Sequence, residues 1–291
     1  DHIADDNVFK FEYIVIDEYQ DISAEKYALA KHTADRSDAK VFAVGDDWQS
    51  IYAFSGSRIE YIYNFSKYFK GAKLFKITNT YRNSQELIDA SGSFVMKNDN
   101  QISKQLISKK HLLNPIKFIT YDSSIDIEYN DKKFNGYQEY DCLEKLILKI
   151  HKINPEHNIL VLARTNSMID KCFKKEEFKD DLGTKITFIG YEDIDLEGMT
   201  IHKSKGLTFD EVIIIGLNNN FPNENHYSYW LINLLKNPVL KENIKFAEER
   251  RLFYVALTRT KNNVYLLTDL NTKRRSSFVD EIYKIVKELN N

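Results

Sequence analysis

The chain has 291 residues, with 41 Lys+Arg against 43 Asp+Glu and a formal net charge of −2, a length that divides into one or two domains able to bury a core. Hydrophobic residues at 43% and charged residues at 29% are ordinary for a globular protein, and ten Gly with four Pro exclude collagen-like and low-complexity readings. No apolar run approaches the roughly 18 residues of a membrane span, no signal-peptide pattern opens the chain, and near-neutral charge confines any nucleic-acid contact to a local patch.

In chain order, residues 12–17 (EYIVID) read as a strand buried on both faces and ending in acids. Ser23 suits the N-cap of a helix reaching about His32. Residues 40–45 (KVFAVG) form a second buried strand, which ends in Asp46-Asp47. An aromatic-rich helix is expected over 57–69, a short strand over 74–77, and a helix capped by Ser84 and running to about Met96. Strands are then expected at 115–120, 158–163, 185–190, 199–202, 211–217 and 263–267, and helices at 139–152, 167–178, 247–257 and 277–289. This alternation predicts an α/β fold of parallel sheets flanked by helices. Residues 122–141 and 218–242 lack periodicity and read as irregular excursions. Cys142 and Cys172 have no metal-ligand or disulfide-framework spacing and read as reduced thiols of a cytoplasmic protein.

The strongest chemical signal is Asp17-Glu18-Tyr19-Gln20-Asp21 at the end of the first strand. Ligands of parallel α/β sheets gather outside the carboxyl ends of strands. Adjacent acids there suit a Mg²⁺-nucleotide site, with Asp17 holding the metal largely through water and Glu18 orienting or deprotonating an attacking water. An acidic loop that only terminates a strand is the alternative. The next strand ends in Gly45-Asp46-Asp47-Trp48-Gln49-Ser50, where the Gln49 amide could sense a γ-phosphate. Tyr52 and Phe54 follow; such aromatics stack on bases, or else join Trp48 in a core.

These segments, with Asn79-Thr80-Tyr81-Arg82-Asn83, Thr200-Ile201-His202-Lys203-Ser204-Lys205-Gly206-Leu207 and the run from Ala247 to Arg259, resemble motifs II to VI of the superfamily 1 UvrD/Rep-like DNA helicases, in order. Asp46-Asp47-Trp48-Gln49 with Phe54-Ser55-Gly56, and the late Ser276-Ser277-Phe278-Val279, resemble the helicase IV branch. The resemblance implies a RecA-like fold of the P-loop NTPase helicase kind, with the end of a first motor domain in residues 1–73 and a second motor domain in 74–291. In the interval between Arg82 and Thr200 the large extra domain that UvrD and Rep carry there is expected to be absent or minimal.

The resemblance also implies roles. Tyr81 would stack on adenine, Arg82 and Arg259 would meet the γ-phosphate, and Gly206 would border the nucleotide. Phe54, and less directly Tyr52, would stack on a base of the translocating strand, while His202 and Lys205 would link the nucleotide and DNA sites. The implied cofactors are ATP and Mg²⁺, the implied partner is single-stranded or partly duplex DNA, and a repair or transcription protein is a further candidate partner. Arg259 continues the Leu252–Ala256 stripe at i, i+4, i+7 and therefore needs a polar partner; its alternative role is to serve the end of its own helix.

Three departures stand out. No G-x-x-x-x-G-K-[ST] occurs, and the chain opens Asp1-His2-Ile3 rather than with Met. It is therefore expected to be the C-terminal part of a helicase, unable to turn over ATP by itself. Ala53 and Ser55 replace the arginines that often flank the motif III aromatic, and Thr208 stands where an acid contacts ribose. The function implied is an ATP-dependent helicase moving 3′ to 5′ on single-stranded DNA. The rival is a helicase-like ATPase that remodels a protein partner such as RNA polymerase, a class marked by long insertions that this chain lacks.

Overall fold

The computed structural model describes residues 10–125, 127–129, 132–134, 138–173, 178–179, 185–186, 193–223 and 246–290. Its strands are β1 Tyr13–Ile16, β2 Lys40–Ala43, β3 Asn79–Thr80, β4 Ile107–Ser108, β5 Ile116–Tyr121, β6 Ile127–Tyr129, β7 Lys132–Phe134, β8 Ile159–Ala163, β9 Phe178–Lys179, β10 Lys185–Ile186, β11 Leu196–Thr200, β12 Phe209–Ile214 and β13 Thr260–Asp269. Its helices are α1 Ala24–Ser37, α2 Glu60–Tyr63, α3 Phe65–Tyr68, α4 Gln85–Val95, α5 Gln138–Ile153, α6 Asn166–Phe173, α7 Ala247–Leu257 and α8 Ser277–Leu289. No helix among the described residues is long and apolar enough to cross a membrane.

The chain divides into two compact units: Asp1–Ile77 with Asn98–Ser103 and Glu224–Arg251, and Thr78–Lys97 with Lys104–Asn223 and Leu252–Asn291. The division between 73 and 74 drawn from the sequence falls four residues before the first of these boundaries, and α7 contributes residues to both units.

The second unit is built on a five-stranded sheet of order β11-β8-β12-β13-β5 in which every pair is parallel. Parallel neighbours need crossovers, which α5 supplies between β5 and β8 and α6 between β8 and β11. β8, the apolar run ILVLA, is buried at every residue. Its alternate residues Ile159, Val161 and Ala163 pack with Leu143, Leu146, Ile147 and Ile150 of α5, whose 3–4 spacing forms one helical stripe. Elsewhere in this unit Phe94, Phe221, Phe253 and Phe278 pack edge-on, with Phe94 5.3 Å from Phe253 and 5.1 Å from Phe278 between centroids. That cluster fixes α4 and α8 against the end of α7. The sheet and its helices give the RecA-like α/β architecture expected.

In the first unit β1 and β2 pair in parallel, with Tyr13 opposite Lys40 and Ile16 opposite Ala43. Within these 291 residues the two-sided burial expected of both is not met, and one face of each is covered. Ile16 and Ala43 lie against a cluster of Tyr19, Ile22 and Tyr61, while Tyr13, Val15 and Phe42 are exposed. Tyr27 stacks on Tyr61 at 4.3 Å and meets Tyr68 edge-on at 5.0 Å, completing the aromatic core of this unit.

Other boundaries moved for local reasons. The helix expected over 57–69 is two four-residue helices separated at Asn64, whose side-chain amide donates to Glu60 O at 3.2 Å and competes with the helical ladder. The strand expected over 74–77 is displaced to β3, which pairs with β4; Leu74, Phe75 and Ile77 are exposed. α1 runs five residues past His32, to Ser37, and Ser23 accepts from Lys26 N at its start. The 122–141 excursion contains the β6–β7 antiparallel hairpin and the start of α5. Of the helix placed over 167–178, α6 covers residues up to Phe173, 174–177 lie outside the described residues and Phe178 is in β9; the strand placed over 199–202 ends at Thr200 before a tight turn. Of 185–190 and 218–242, residues 187–190 and 224–242 lie outside the described residues.

Two expectations follow. Ile147 is fully buried between α5 and the sheet, so Ile147→Ala is expected to cost about 2–5 kcal/mol in urea unfolding with the slope unchanged. Glu139 opens α5 and accepts Gly216 N at 2.7 Å. Burial, assisted by Asp269 and opposed by the Gly216 bond, raises its pKa from 4.5 to about 7. The folded state thus holds this proton where the unfolded chain has released it. Its contribution is present below about pH 4.5 and is lost as pH rises through about 7. Glu139→Gln is expected to remove that part of the pH–stability slope.

Candidate active site

The acids expected at the first strand stand at its carboxyl end. Asp17 and Glu18 are exposed, and Asp17 Oδ1 accepts Glu18 N at 2.8 Å. Glu18 is left-handed (φ 49, ψ 43), a conformation unusual for a non-glycine residue. It turns the chain into the short Tyr19–Asp21 helix, held to the second strand by Tyr19 N donating to Val44 O at 2.8 Å.

Gln20, which the sequence reading passed over, organises the region. It is 0% exposed. Its Nε2 donates to the Glu18 carboxylate, and its Oε1 accepts Asp46 N at 2.9 Å. Ser50 Oγ donates to its backbone carbonyl at 3.2 Å. Asp46 in turn accepts Gln49 Nε2 at 2.7 Å and Trp48 N at 3.0 Å. Asp17, Glu18 and Gln49 are therefore brought into one hydrogen-bonded region. Gly45 is needed here, because a Cβ would lie 2.7 Å from Gln20 Oε1.

Asp47 and Trp48 serve the interior. Asp47 Oδ2 accepts Gln101 Nε2 at 2.8 Å and Ile102 N at 2.7 Å, and Trp48 Nε1 donates to Ile102 O at 3.2 Å. Trp48 is thus core, the alternative that the sequence left open. Phe54 is 48% exposed, and its ring meets that of half-buried Tyr52 edge-on at 5.9 Å. Burial, with the Asp21 and Glu18 carboxylates nearby, raises the Tyr52 pKa.

Arg251, buried on α7, was also passed over. Its Nε donates to Ser50 O at 2.7 Å and its Nη1 to Gln101 Oε1 at 3.1 Å. Glu248, one turn earlier, accepts Ala53 N at 3.0 Å. Both pin the loop that carries Gln49, Tyr52 and Phe54.

In the second unit Tyr81 is 87% exposed, with a ring face open for stacking. Arg82 is half-buried, and desolvation lowers its pKa against the opposing influence of Tyr254. A buried guanidinium gains from an anionic partner. Asn83, buried beside it, donates from Nδ2 to Thr258 O at 3.3 Å and Thr260 O at 2.6 Å, tying this segment to the residues that flank Arg259.

Arg259 is 1% exposed. Its Nε donates to Val255 O at 3.0 Å and its Nη1 reaches Leu207 O at 3.4 Å. The arginine thus satisfies the end of its own helix, as the last-turn carbonyls demand. It also joins that helix to the turn carrying Gly206. Gly206 has φ +85, so the turn after β11 favours glycine there. Ser204 braces this turn from within, donating from Oγ to Ile201 O at 2.8 Å, and His202 and Lys205 are half-buried on it.

A single exposed carboxylate such as Asp17 suits Mg²⁺, which keeps several waters and shares phosphate oxygens. Among the described residues no cluster of three or more His, Cys, Asp or Glu is placed to hold a metal ion.

Residues 1–70 match the family model described as UvrD/REP helicase N-terminal domain, and residues 186–271 that described as UvrD-like helicase C-terminal domain. The chain is 32% identical over 275 residues to DNA helicase IV of Escherichia coli (strain K12), a match covering 93% of this chain and 35% of that protein. It is 26% identical over 284 residues to ATP-dependent DNA helicase Rep of Buchnera aphidicola, covering 94% and 40%. It is 29% identical over 163 residues to ATP-dependent DNA helicase PcrA of Bacillus subtilis, covering 54% and 20%. The chain thus spans well under half the length of these relatives.

Removing the Arg251 anchor leaves the Ser50 carbonyl without its guanidinium donor. Arg251→Met is expected to destabilise the protein by about 2–3 kcal/mol in chemical denaturation. Lys at this position, with no planar fork, is expected to restore only part of it.

Proposed function

We propose, on the premise that the chain belongs to the UvrD/Rep-like helicase family, that the protein is an ATP-driven motor translocating 3′ to 5′ on single-stranded DNA. The observation that carries this reading is the hydrogen-bonded path joining the exposed Glu18 carboxylate to Gln49. Asp17 holds the Mg²⁺ of Mg-ATP, largely through water. Glu18 accepts the proton of the attacking water, and the Gln49 amide meets the γ-phosphate. Tyr81 stacks on adenine, and Arg82 and Arg259 neutralise charge that develops on the phosphoryl oxygens. For Arg259 this role requires that it exchange its bonds to Val255 and Leu207 for phosphate oxygens.

Phe54 stacks on a base of the bound strand, assisted by Tyr52, while His202 and Lys205 connect the strand to the Gly206 turn. Partly duplex DNA is the natural substrate of such a motor. These 291 residues hold no P-loop, so the backbone cradle for the β- and γ-phosphates is missing from the sequence. This chain alone is therefore expected to turn over no ATP.

The test is Arg259→Ala in the intact native protein. Hydrolysis should fall by about 10³-fold or more, with nucleotide affinity kept. Near-normal turnover would remove Arg259 from the site. Phe54→Ala should weaken single-stranded DNA binding by about 1–3 kcal/mol without changing nucleotide affinity; unchanged DNA affinity would contradict the base-stacking role.

A further inference from the structure

We propose that Gln20 is a positioning residue that sets the carboxylate of Glu18 and couples it, through Asp46, to the amide of Gln49. The proposal deepens the reading of this site as a nucleotide hydrolase and rests on it. Gln20 is fully buried, although Glu18, two residues earlier, is exposed. Burying a primary amide is costly unless both its ends are bonded. Here they are, and their polarity is fixed by the partners. The backbone N–H of Asp46 only donates, so it faces Oε1; the carboxylate of Glu18 accepts, so it faces Nε2. A flipped amide would set N–H against N–H and carbonyl against carboxylate.

The other groups at the site fit this assignment. Glu18 occupies the left-handed region, where a glutamate gains nothing from intrinsic preference and depends on its bonds. Gly45 leaves the space that the Gln20 amide fills; any larger residue would strike Oε1. Ser50 Oγ secures the Gln20 carbonyl, so the main chain is held as well as the side chain. Asp46 then completes the path, since the same residue that donates its N–H to Gln20 accepts Gln49 Nε2 at 2.7 Å. Three hydrogen bonds thus lead from the Glu18 carboxylate to the Gln49 amide.

Such a path serves hydrolysis. A general base works only when aimed within about 2.6–3.2 Å of the proton it takes. A movement of Gln49 toward a γ-phosphate shifts Asp46, and Asp46 moves the acceptor side of the same amide that aims Glu18. Gln20 touches no substrate. It makes the base's position depend on whether the phosphate is sensed.

The experiment uses the intact native protein and ATP. Wild-type turnover is measured first; its absence overturns the hydrolase reading and this proposal with it. Given turnover, Gln20→Met is expected to lower kcat by about 10–100-fold while the dissociation constant for a fluorescent ATP analogue stays within about twofold. Gln20→Glu keeps an acceptor for Asp46 N–H, loses the donor to Glu18 and sets a second carboxyl group against it; it is expected to give the same split, and it carries the test if Gln20→Met does not fold. The decisive comparison is made in a Glu18→Gln background. If Gln20 acts through Glu18, adding Gln20→Met lowers the single-turnover rate no more than about threefold further. A normal kcat in both single variants, or a full additional 10–100-fold fall in the double variant, overturns the proposal.

Discussion

Two loops at the carboxyl ends of adjacent parallel strands are held at close quarters, and a buried amide links them. Gln20 bonds Glu18 on one side and the Asp46 backbone on the other. The remaining features of the first unit follow from that link. Gly45 must be small, Asp46 must present its N–H, and Ser50 must reach back to the Gln20 carbonyl. Arg251 then anchors Ser50 from α7, and Asp47 with Trp48 fastens the same loop to Gln101 and Ile102. The parts exposed to solvent, Asp17, Glu18 and Phe54, stand beside the buried Gln20, Asp47, Trp48, Ser50 and Arg251. Such support lets exposed groups keep one geometry.

The second unit solves a parallel problem with different groups. Its sheet is covered by helices and carries a fully buried interior strand, β8, so its loops are set by packing. The residues assigned to phosphate lie where hydrogen bonds cross between segments. Asn83 joins the Tyr81–Arg82 segment to the carbonyls on either side of Arg259, and Arg259 joins the helix end to Leu207. Arg259 therefore has a structural role of its own, beside the phosphate role proposed for it. The same donors that satisfy carbonyls in this state are the donors a phosphate would claim.

Much of this was legible in the sequence because strong local patterns agreed with the fold. The ILVLA run at 159–163 and the 3–4 spacing of α5 need only periodicity, and Ser84 marks the start of α4 by its capping chemistry. Local pattern does not show which faces these 291 residues themselves cover. EYIV and KVFA are apolar enough for two-sided strands, but only the face bearing Ile16 and Ala43 is covered by the aromatic cluster. The break at Asn64 carries a signal that could have been read, since Asn competes with helix backbone. At the site, the acids and aromatics announced themselves by chemistry. Gln20, Asn83 and Arg251 did not, because their importance lies largely in partners 26 to 201 residues away in sequence. A polar residue inside a chemically marked run, such as Gln20 within Asp17–Asp21, was the available hint.

The central claim is that these groups serve nucleotide hydrolysis coupled to DNA. It is tested most directly by ATP hydrolysis in the intact native protein, with and without single-stranded DNA, beside the 291-residue chain as a blank. The account predicts strong stimulation by DNA and no turnover by the chain alone. Hydrolysis indifferent to DNA would contradict the DNA-motor reading and favour the remodelling of a protein partner, and turnover by the chain alone would contradict the need for a P-loop.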